Sequence, residues 1–281
     1  MRTAVRLAEL AAKVVLWAMA AVTFIILLVI IGYVLGRGLP HLSPGFLFRM
    51  PADMGRAGGI LPAIIGTAYV TALALFVAVP IGLGAAVYLA EYTKDGLLTR
   101  MVRFGVETLA GVPSIIFGLF GAAFFVYGLR LGLSILAGGL TLALMLLPIV
   151  IRTAEEAIKA VPRDYREASL ALGATKRQTV IRVVIPAAGG GILTGVLLGL
   201  GRAVGETAAL WLTMGGSILR LPRSLLEQGR TLTLHLYLLA MEGLSVERAF
   251  ATAALLILAV LAVNTAALIL LDRFRRHRFG G

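Results

Sequence analysis

The chain has 281 residues, of which 59% are hydrophobic and only 14% charged, and its mean hydropathy is +0.96. This composition excludes a compact soluble enzyme, a disordered chain and a soluble coiled coil. The formal net charge of +12 does not indicate nucleic-acid binding, because insertion into a membrane already explains an excess of Lys and Arg.

Six charge-free runs predict an all-α polytopic membrane protein with six transmembrane helices, since a helix needs about 20 apolar residues to cross a bilayer. The runs are 14–36, 57–90, 108–129, 131–151, 183–201 and 249–271. The first run is too long for a signal peptide and lacks a cleavage site after it, so we expect it to remain as a span.

The distribution of positive charge predicts the orientation in the membrane. With six spans, 17 of the 26 Lys and Arg residues lie on the side of the two termini and 8 on the other side. Cytoplasmic segments normally hold the excess, so both termini are expected in the cytoplasm, with the protein in the cell (inner) membrane.

Metal and disulfide sites are not expected in this chain. It contains no cysteine, and its three histidines, His41, His235 and His277, fall far apart in predicted loops or tails. This pattern offers no ligand cluster for zinc or an iron–sulfur centre.

The longest predicted cytoplasmic segment, 152–186, begins with the signals of a short helix. Pro162 is favoured at a first helical position, and Asp164 would complement the helix dipole in the first turn. Gly173 is a typical carboxyl-terminal stop. A first helix between Pro162 and Gly173 is therefore predicted.

A second short helix follows in the same segment. Thr175 and Gln178 match a capping box, and Pro186 marks the predicted entry to the fifth span. An ordered helix–turn–helix at the cytoplasmic surface is typical of a docking element for another protein. The alternative is a loop that only packs beneath its own spans.

The fifth span carries two charges, Arg202 and Glu206, which we expect within or near the hydrocarbon and on one helix face. One interpretation is a self-neutralising structural pair. The other is an anion pathway in which the Arg202 guanidinium binds the anion, Glu206 orients Arg202, and Thr207 adds a hydroxyl donor.

Small residues in the fifth span predict a close helix contact. Gly195, Gly199, Ala203 and Thr207 are spaced four apart, as in a small-xxx-small packing face.

The loop between the fourth and fifth spans also carries a family motif. Glu167-Ala168-Ser169, three residues, Gly173, nine residues and then 183–186 (VVIP) resemble the EAA loop of ABC transporter permeases, E-A-A, three residues, G, nine residues, I-x-L-P. Ser169 replaces the second Ala, and two aliphatic positions also differ. The resemblance implies the fold of a type I (MetI-like) ABC importer permease, with Glu167, Ala168, Ser169 and Gly173 as ATPase-coupling positions.

Further segments resemble one branch, the A-type permease family of phosphate-specific ABC importers (the PstA family). The narrowest match is 201–208, Gly-Arg-Ala-Val-Gly-Glu-Thr-Ala, with others at 58–67, 80–83, 91–92, 109–115 and 152–157. The resemblance implies an ATP-driven phosphate importer and places Arg202, Glu206 and Thr207 along the substrate pathway.

The same resemblance implies the partners. They are a PstC-like permease, a PstB-like ATPase dimer that binds ATP and Mg, a PstS-like phosphate-binding protein, membrane lipid and inorganic phosphate. This chain has no G-x-x-x-x-G-K-[ST] motif, and none of its four lysines follows a glycine. We therefore expect no cofactor in this chain and no enzymatic activity of its own.

The expected organisation has three parts. Residues 1–57 hold the N-terminal tail, the first span and an external loop, 58–272 form the permease core, and 273–281 form a cytoplasmic tail. Permeases for other oxyanions such as sulfate or molybdate remain alternatives. An ion-coupled secondary transporter is disfavoured by the docking loop, and an intramembrane enzyme by the lack of HExxH, of cysteine and of histidine in a predicted span.

Overall fold

The computed structural model of the chain describes residues 2–94, 96–217 and 220–279. Gly280 and Gly281, which end the predicted tail 273–281, lie outside these ranges. Within them the regular secondary structure is helical apart from a short ribbon in which β1 (Pro51–Ala52) pairs antiparallel with β2 (Ala57–Gly58). The helices are α1 (Arg2–Gly38), α2 (Pro44–Phe48), α3 (Leu61–Val87), α4 (Leu97–Ala110), α5 (Ser114–Gly121), α6 (Ile135–Lys159), α7 (Arg163–Ala171), α8 (Lys176–Thr179), α9 (Ile185–Gly205), α10 (Ala208–Met214), α11 (Leu232–Met241) and α12 (Val246–Phe279).

The predicted all-α membrane fold is confirmed. In the described ranges five helical segments are long and apolar enough to cross a bilayer, and a bent pair provides a sixth if it is counted as one span. The five are Glu9–His41, Leu61–Tyr92, Ile135–Lys159, Lys176–Gly205 and Val246–Ala266.

The bent pair corrects the predicted third span, 108–129. Here α4 and the helical segment Ser114–Gly128 meet at 101°. The bend lies at Gly111 and Pro113, because a proline disfavours helical backbone in the residue before it and cannot donate the next helical hydrogen bond. The predicted straight helix is therefore wrong, and α4 lies at about a right angle to Ser114–Gly128.

The fourth span is longer than predicted. Its helix, α6, continues to Lys159, so the segment 152–186 begins inside a helix rather than in a loop. Two ion pairs spaced four residues apart stabilise the added turns. Arg152 Nε lies 3.1 Å from Glu156 Oε1, and Lys159 Nζ lies 2.6 Å from Glu155 Oε1.

The main core lies where α3, α6, α9 and α10 meet. Its buried members include Val70, Ala74, Leu142, Leu146, Ala203, Leu210 and Met214. By contrast, the most apolar window of α1 is 0% buried within the chain, and α1 packs along α12, where Gly38 contacts Phe250 and Ala254. The apolar surface of α1 thus has lipid or another subunit as its environment.

The predicted packing face of the fifth span is confirmed for three of its four residues. Gly195, Gly199 and Ala203 are buried. A side chain at Gly195 would collide with Thr153 of α6, so α9 and α6 approach closely only because this position is glycine. Thr207 lies beyond the end of α9.

Helix α11 was not predicted, and the assignment of His235 to a loop is wrong. His235 lies within α11 and is 1% exposed. Its Nδ1 lies 3.3 Å from Arg230 Nη1 and must accept, because a guanidinium only donates. Burial, followed by the nearby charges of Arg230 and Arg248, lowers the pKa of His235 to about 4, so the ring is neutral near pH 7.

Candidate functional site

A break in the helical path follows Gly205. Glu206 has extended backbone, with φ −76° and ψ 137°, and α10 begins at Ala208. The prediction that Arg202 and Glu206 share one helix face is therefore wrong, because the helix ends between them. Across the described ranges, no ion pair joins the two side chains.

Glu206 has a different part in the structure. Its side-chain Oε1 accepts a hydrogen bond of 3.3 Å from the amide of Ala209, and its backbone oxygen accepts one of 2.7 Å from Thr233 Oγ1. A carboxylate at this end of α10 also complements the helix dipole. Glu206, which is 9% exposed, therefore binds the first turn of α10 and links the break to α11, rather than orienting Arg202 as predicted.

Arg202 lies about halfway through the helical bundle. Helix α9 runs antiparallel to α6, with Gly195 facing Thr153 and Gly199 lying 3.8 Å, at the position of an added Cβ, from Val150 Cγ2. One turn further on, Ala203 joins the core that includes Leu146, near the midpoint of α6. The neighbouring Arg202 is thus at a similar depth.

The side chain of Arg202 points away from this chain's own core. It is exposed, and it makes no hydrogen bond or ion pair with the described residues. A guanidinium at this depth is costly against lipid, so such residues normally face a cavity or a partner. Its planar fork of donors suits the oxygens of an anion.

Thr207 occupies the break beside these residues. It is partly exposed, and its backbone oxygen accepts a hydrogen bond of 2.9 Å from the amide of Trp211. Its hydroxyl makes no hydrogen bond within the described part of the chain. One interruption of the helix thus has a cation and a hydroxyl beside it that hydrogen-bond to no other described residue.

The first predicted helix of the coupling loop is present as α7. Pro162 immediately precedes α7 rather than starting it, Asp164 lies in the first turn, and Gly173 follows the end with φ +83°. This left-handed backbone conformation is the one for which glycine is favoured after a helix.

The predicted capping box at the second helix is also confirmed. The Thr175 amide donates to Gln178 Oε1 at 2.8 Å, and the Gln178 amide donates to Thr175 Oγ1 at 3.3 Å. From here a helical path runs without interruption through the π-helical turn Val180–Val184 into α9. Pro186 lies in the first turn of α9, as predicted for the entry to the fifth span, although the helical path itself starts earlier, at Lys176.

A side-chain hydrogen bond links the two short helices at Ser169, the position where this chain has serine in place of the second alanine of the EAA motif. Ser169 Oγ lies 2.9 Å from Thr179 Oγ1, so the replacement of alanine by serine adds a hydrogen bond between α7 and α8.

The outer surface of α7 is open. None of its residues is buried, Glu167 and Ala168 are exposed, and Leu172, just after the helix, is 89% exposed. Exposed apolar side chains on an ordered loop indicate a partner surface. This arrangement favours docking over a loop that only covers its own spans.

Comparison with known proteins identifies the family. Residues 78–279 match the family described as binding-protein-dependent transport system inner membrane component. A probable ABC transporter permease protein, YqgI, from Bacillus subtilis is 33% identical over 263 residues, covering 88% of this chain and 90% of that protein.

Two further comparisons concern the branch and the fold. The phosphate transport system permease protein PstA 1 of Mycobacterium tuberculosis is 44% identical over 161 residues, which are 57% of this chain but only 53% of that protein. An inward-facing structure of the MetNI methionine ABC transporter superposes with a TM-score of 0.66 at 22% identity, covering 76% of this chain and 95% of its counterpart. The chain therefore belongs to the family of binding-protein-dependent transport system inner membrane components, the permease subunits of ABC transporters.

Proposed function

We propose that this chain is a permease subunit of an ATP-driven phosphate importer, with both termini in the cytoplasm. The observation that carries this proposal is Arg202, a guanidinium at mid-depth in the bundle, beside a broken helix, that pairs with none of the residues that the structure describes. A cation in that place requires an anionic counterpart or an aqueous pathway.

Phosphate is the anion best supported by relatives. Several curated relatives are phosphate transport permeases, 36–44% identical to this chain over about 60% of its length. The matched segment spans about half of the mycobacterial protein's length. We therefore propose phosphate as the substrate, on the basis of this similarity together with the chemistry of Arg202.

The proposed passage of phosphate uses three residues in distinct ways. Arg202 donates charge-assisted hydrogen bonds to phosphate oxygens, and Thr207 adds a neutral donor. Glu206 does not contact phosphate, because its carboxylate would repel the anion. It holds the break in place through its bond to the Ala209 amide.

A continuous helical path connects this site with the coupling loop. The segment Lys176–Gly205 measures roughly 45 Å at 1.5 Å per residue. We propose that movement of the coupling loop shifts this segment, and with it Arg202, between access to one side of the membrane and access to the other.

The exposed faces indicate what must complete the assembly. We propose that a PstC-like permease closes the pathway opposite Arg202 and that a PstB-like ATPase dimer, binding ATP and Mg, docks on Glu167, Ala168, Ser169 and Gly173. A PstS-like phosphate-binding protein delivers phosphate from outside. Hydrolysis of ATP occurs in the ATPase partner.

The test is ATP-driven uptake of radiolabelled phosphate into liposomes that contain this chain with its partner subunits. The proposal predicts uptake that requires ATP and is blocked by unlabelled phosphate but not by sulfate or molybdate. Competition by sulfate or molybdate would overturn the phosphate assignment, and uptake without ATP would overturn the ABC mechanism.

A further inference from the structure

The end of α3 nearest the coupling loop has an unusual helical geometry. The turn that continues α3, Tyr88–Tyr92, is π-helical and closes with a hydrogen bond of 3.1 Å from the Thr93 amide to the Tyr88 oxygen. Such turns are rare in proteins, and those that do occur are frequently found at functional sites. Glu91 lies in this turn, and its side chain is only 9% exposed.

A single guanidinium binds this turn to the coupling loop. From α7, Arg166 donates to Glu91 Oε1 through Nε at 3.0 Å and through Nη2 at 2.7 Å. The same group donates to the backbone oxygen of Val161 at 2.6 Å and of Ile158 at 2.9 Å. Arg166 therefore joins α7 to the ends of both α3 and α6.

The second coupling helix contacts the same turn. Lys176, the first residue of α8, places its ammonium 5.0 Å from the centroid of the Tyr92 ring, within the range of a cation–π interaction. Both short helices of the coupling loop thus contact adjacent residues of the π-helical turn that continues α3.

Helix α3 in turn packs beside the proposed phosphate pathway. Val70, Ala74 and Ala78 of α3 share the main core with Ala203, the residue after Arg202. A displacement of α3 at the π-helical turn would therefore reach the packing around Arg202, because a closely packed core transmits strain.

We propose that Arg166 is a positioning residue that transmits movement of the coupling loop to α3 through Glu91. This inference rests on the proposed ATP-driven import. The outer surface of α7 is open to an ATPase, while Arg166 on its inner surface binds Glu91. This Arg166–Glu91 contact, which we call the clamp, therefore lies between the ATPase-docking surface and the phosphate pathway. Arg166 touches neither phosphate nor ATP.

The experiment measures ATP hydrolysis and uptake of radiolabelled phosphate on the same liposomes containing the full complex. The variants are Arg166→Ala, Arg166→Lys, Glu91→Gln and the double variant Arg166→Ala/Glu91→Gln. Arg100→Ala is the matched control, because Arg100 is exposed on α4 and its substitution removes the same positive charge as Arg166→Ala. Co-purification of the ATPase reports whether each complex assembles.

The proposal predicts that Arg166→Ala and Glu91→Gln retain ATP hydrolysis while the phosphate transported per ATP falls about tenfold. The double variant should fall no further than the worse single variant, because both substitutions remove the same contact. Arg166→Lys keeps the charge but not the fork, so it should give an intermediate ratio. The control should match the unsubstituted complex.

Two results would overturn the clamp. One is that Arg166→Ala and Glu91→Gln leave both transport and hydrolysis unchanged, and the other is that both activities fall in parallel, which would make Arg166 a purely structural residue. Arg166→Ala also removes the hydrogen bonds from Arg166 to the backbone oxygens of Val161 and Ile158, so the complex with this variant could fail to assemble. In that case the ratios measured for Arg166→Lys and Glu91→Gln test the proposal. Failure of the unsubstituted complex to take up phosphate with ATP would instead refute the proposed function, and it is assessed first.

Discussion

Replacement of Glu206 separates a structural carboxylate from one that acts in transport. In Glu206→Ala the amide of Ala209 loses its acceptor, and the amino-terminal end of α10 loses a favourable charge. Loss of a cap typically costs about 0.5–2 kcal/mol, and the N···O distance of 3.3 Å is long for a hydrogen bond. We therefore expect a loss of about 1 kcal/mol, or about 2–4 °C in Tm.

Glu206→Gln should behave differently, because the amide oxygen of glutamine can accept the same bond. We expect a change in the free energy of unfolding of about 0.5 kcal/mol, the part that comes from the helix dipole, and uptake close to that of the unsubstituted protein. Thermal unfolding is followed by tryptophan fluorescence in a Trp17→Phe background. Trp211, one of only two tryptophans in the chain, then reports on α10 itself.

Glu107→Gln is the control, since Glu107 is an exposed carboxylate of α4 and should tolerate the loss of charge. The reasoning would be refuted if Glu206→Gln abolished phosphate uptake with an unchanged Tm. That result would mean that the carboxylate charge acts in transport, for example by orienting Arg202 as predicted from the sequence.

Two further predictions concern the coupling loop and the packing of α9. Glu167→Lys reverses an exposed charge on α7, so membrane insertion should be intact while stimulation of the partner ATPase is lost; normal stimulation in a hydrolysis assay would contradict docking at Glu167. Gly195→Leu should destabilise the chain by about 1–3 kcal/mol in thermal unfolding, because the new side chain meets Thr153. Adding Thr153→Ala should recover part of that loss, and an unchanged Tm in Gly195→Leu would show that α6 and α9 are less closely packed than described.

The features that the sequence predicted well depend on local chemistry. Long apolar runs predicted the spans because a membrane helix must satisfy its own backbone and present apolar side chains. The capping box at Thr175 and Gln178 and the stop at Gly173 were predictable for a similar reason, since the residues that form them are neighbours in the chain.

Breaks within apolar runs were harder to predict. Apart from these two charges, the segment around Arg202 and Glu206 is one continuous apolar run in the sequence, but α9 ends at Gly205, where Glu206 bonds to the Ala209 amide and accepts from Thr233, 27 positions later. The bend at Pro113 had a readable signal, a proline preceded closely by glycine. For α11, Thr231 before an apolar run was a signal, because its side chain accepts from the amide of Leu234.

The contact between Arg166 and Glu91 could not be derived from the sequence alone. The two residues are 75 positions apart, and each falls in a segment of mixed charge where many pairings satisfy the same chemistry. Only the packing of α7 against the ends of α3 and α6 selects this pair.

The most direct test of the account is ATP-driven phosphate uptake by complexes carrying Arg202→Ala or Arg202→Lys, with assembly and ATP hydrolysis measured on the same preparation. Charge-assisted hydrogen bonds contribute about 1.5–3 kcal/mol, so the account predicts that Arg202→Ala lowers uptake about tenfold or more while the complex still assembles. Arg202→Lys should retain part of the uptake, because it keeps the charge without the planar fork. Unchanged uptake in Arg202→Ala would contradict the central claim that phosphate passes beside this guanidinium.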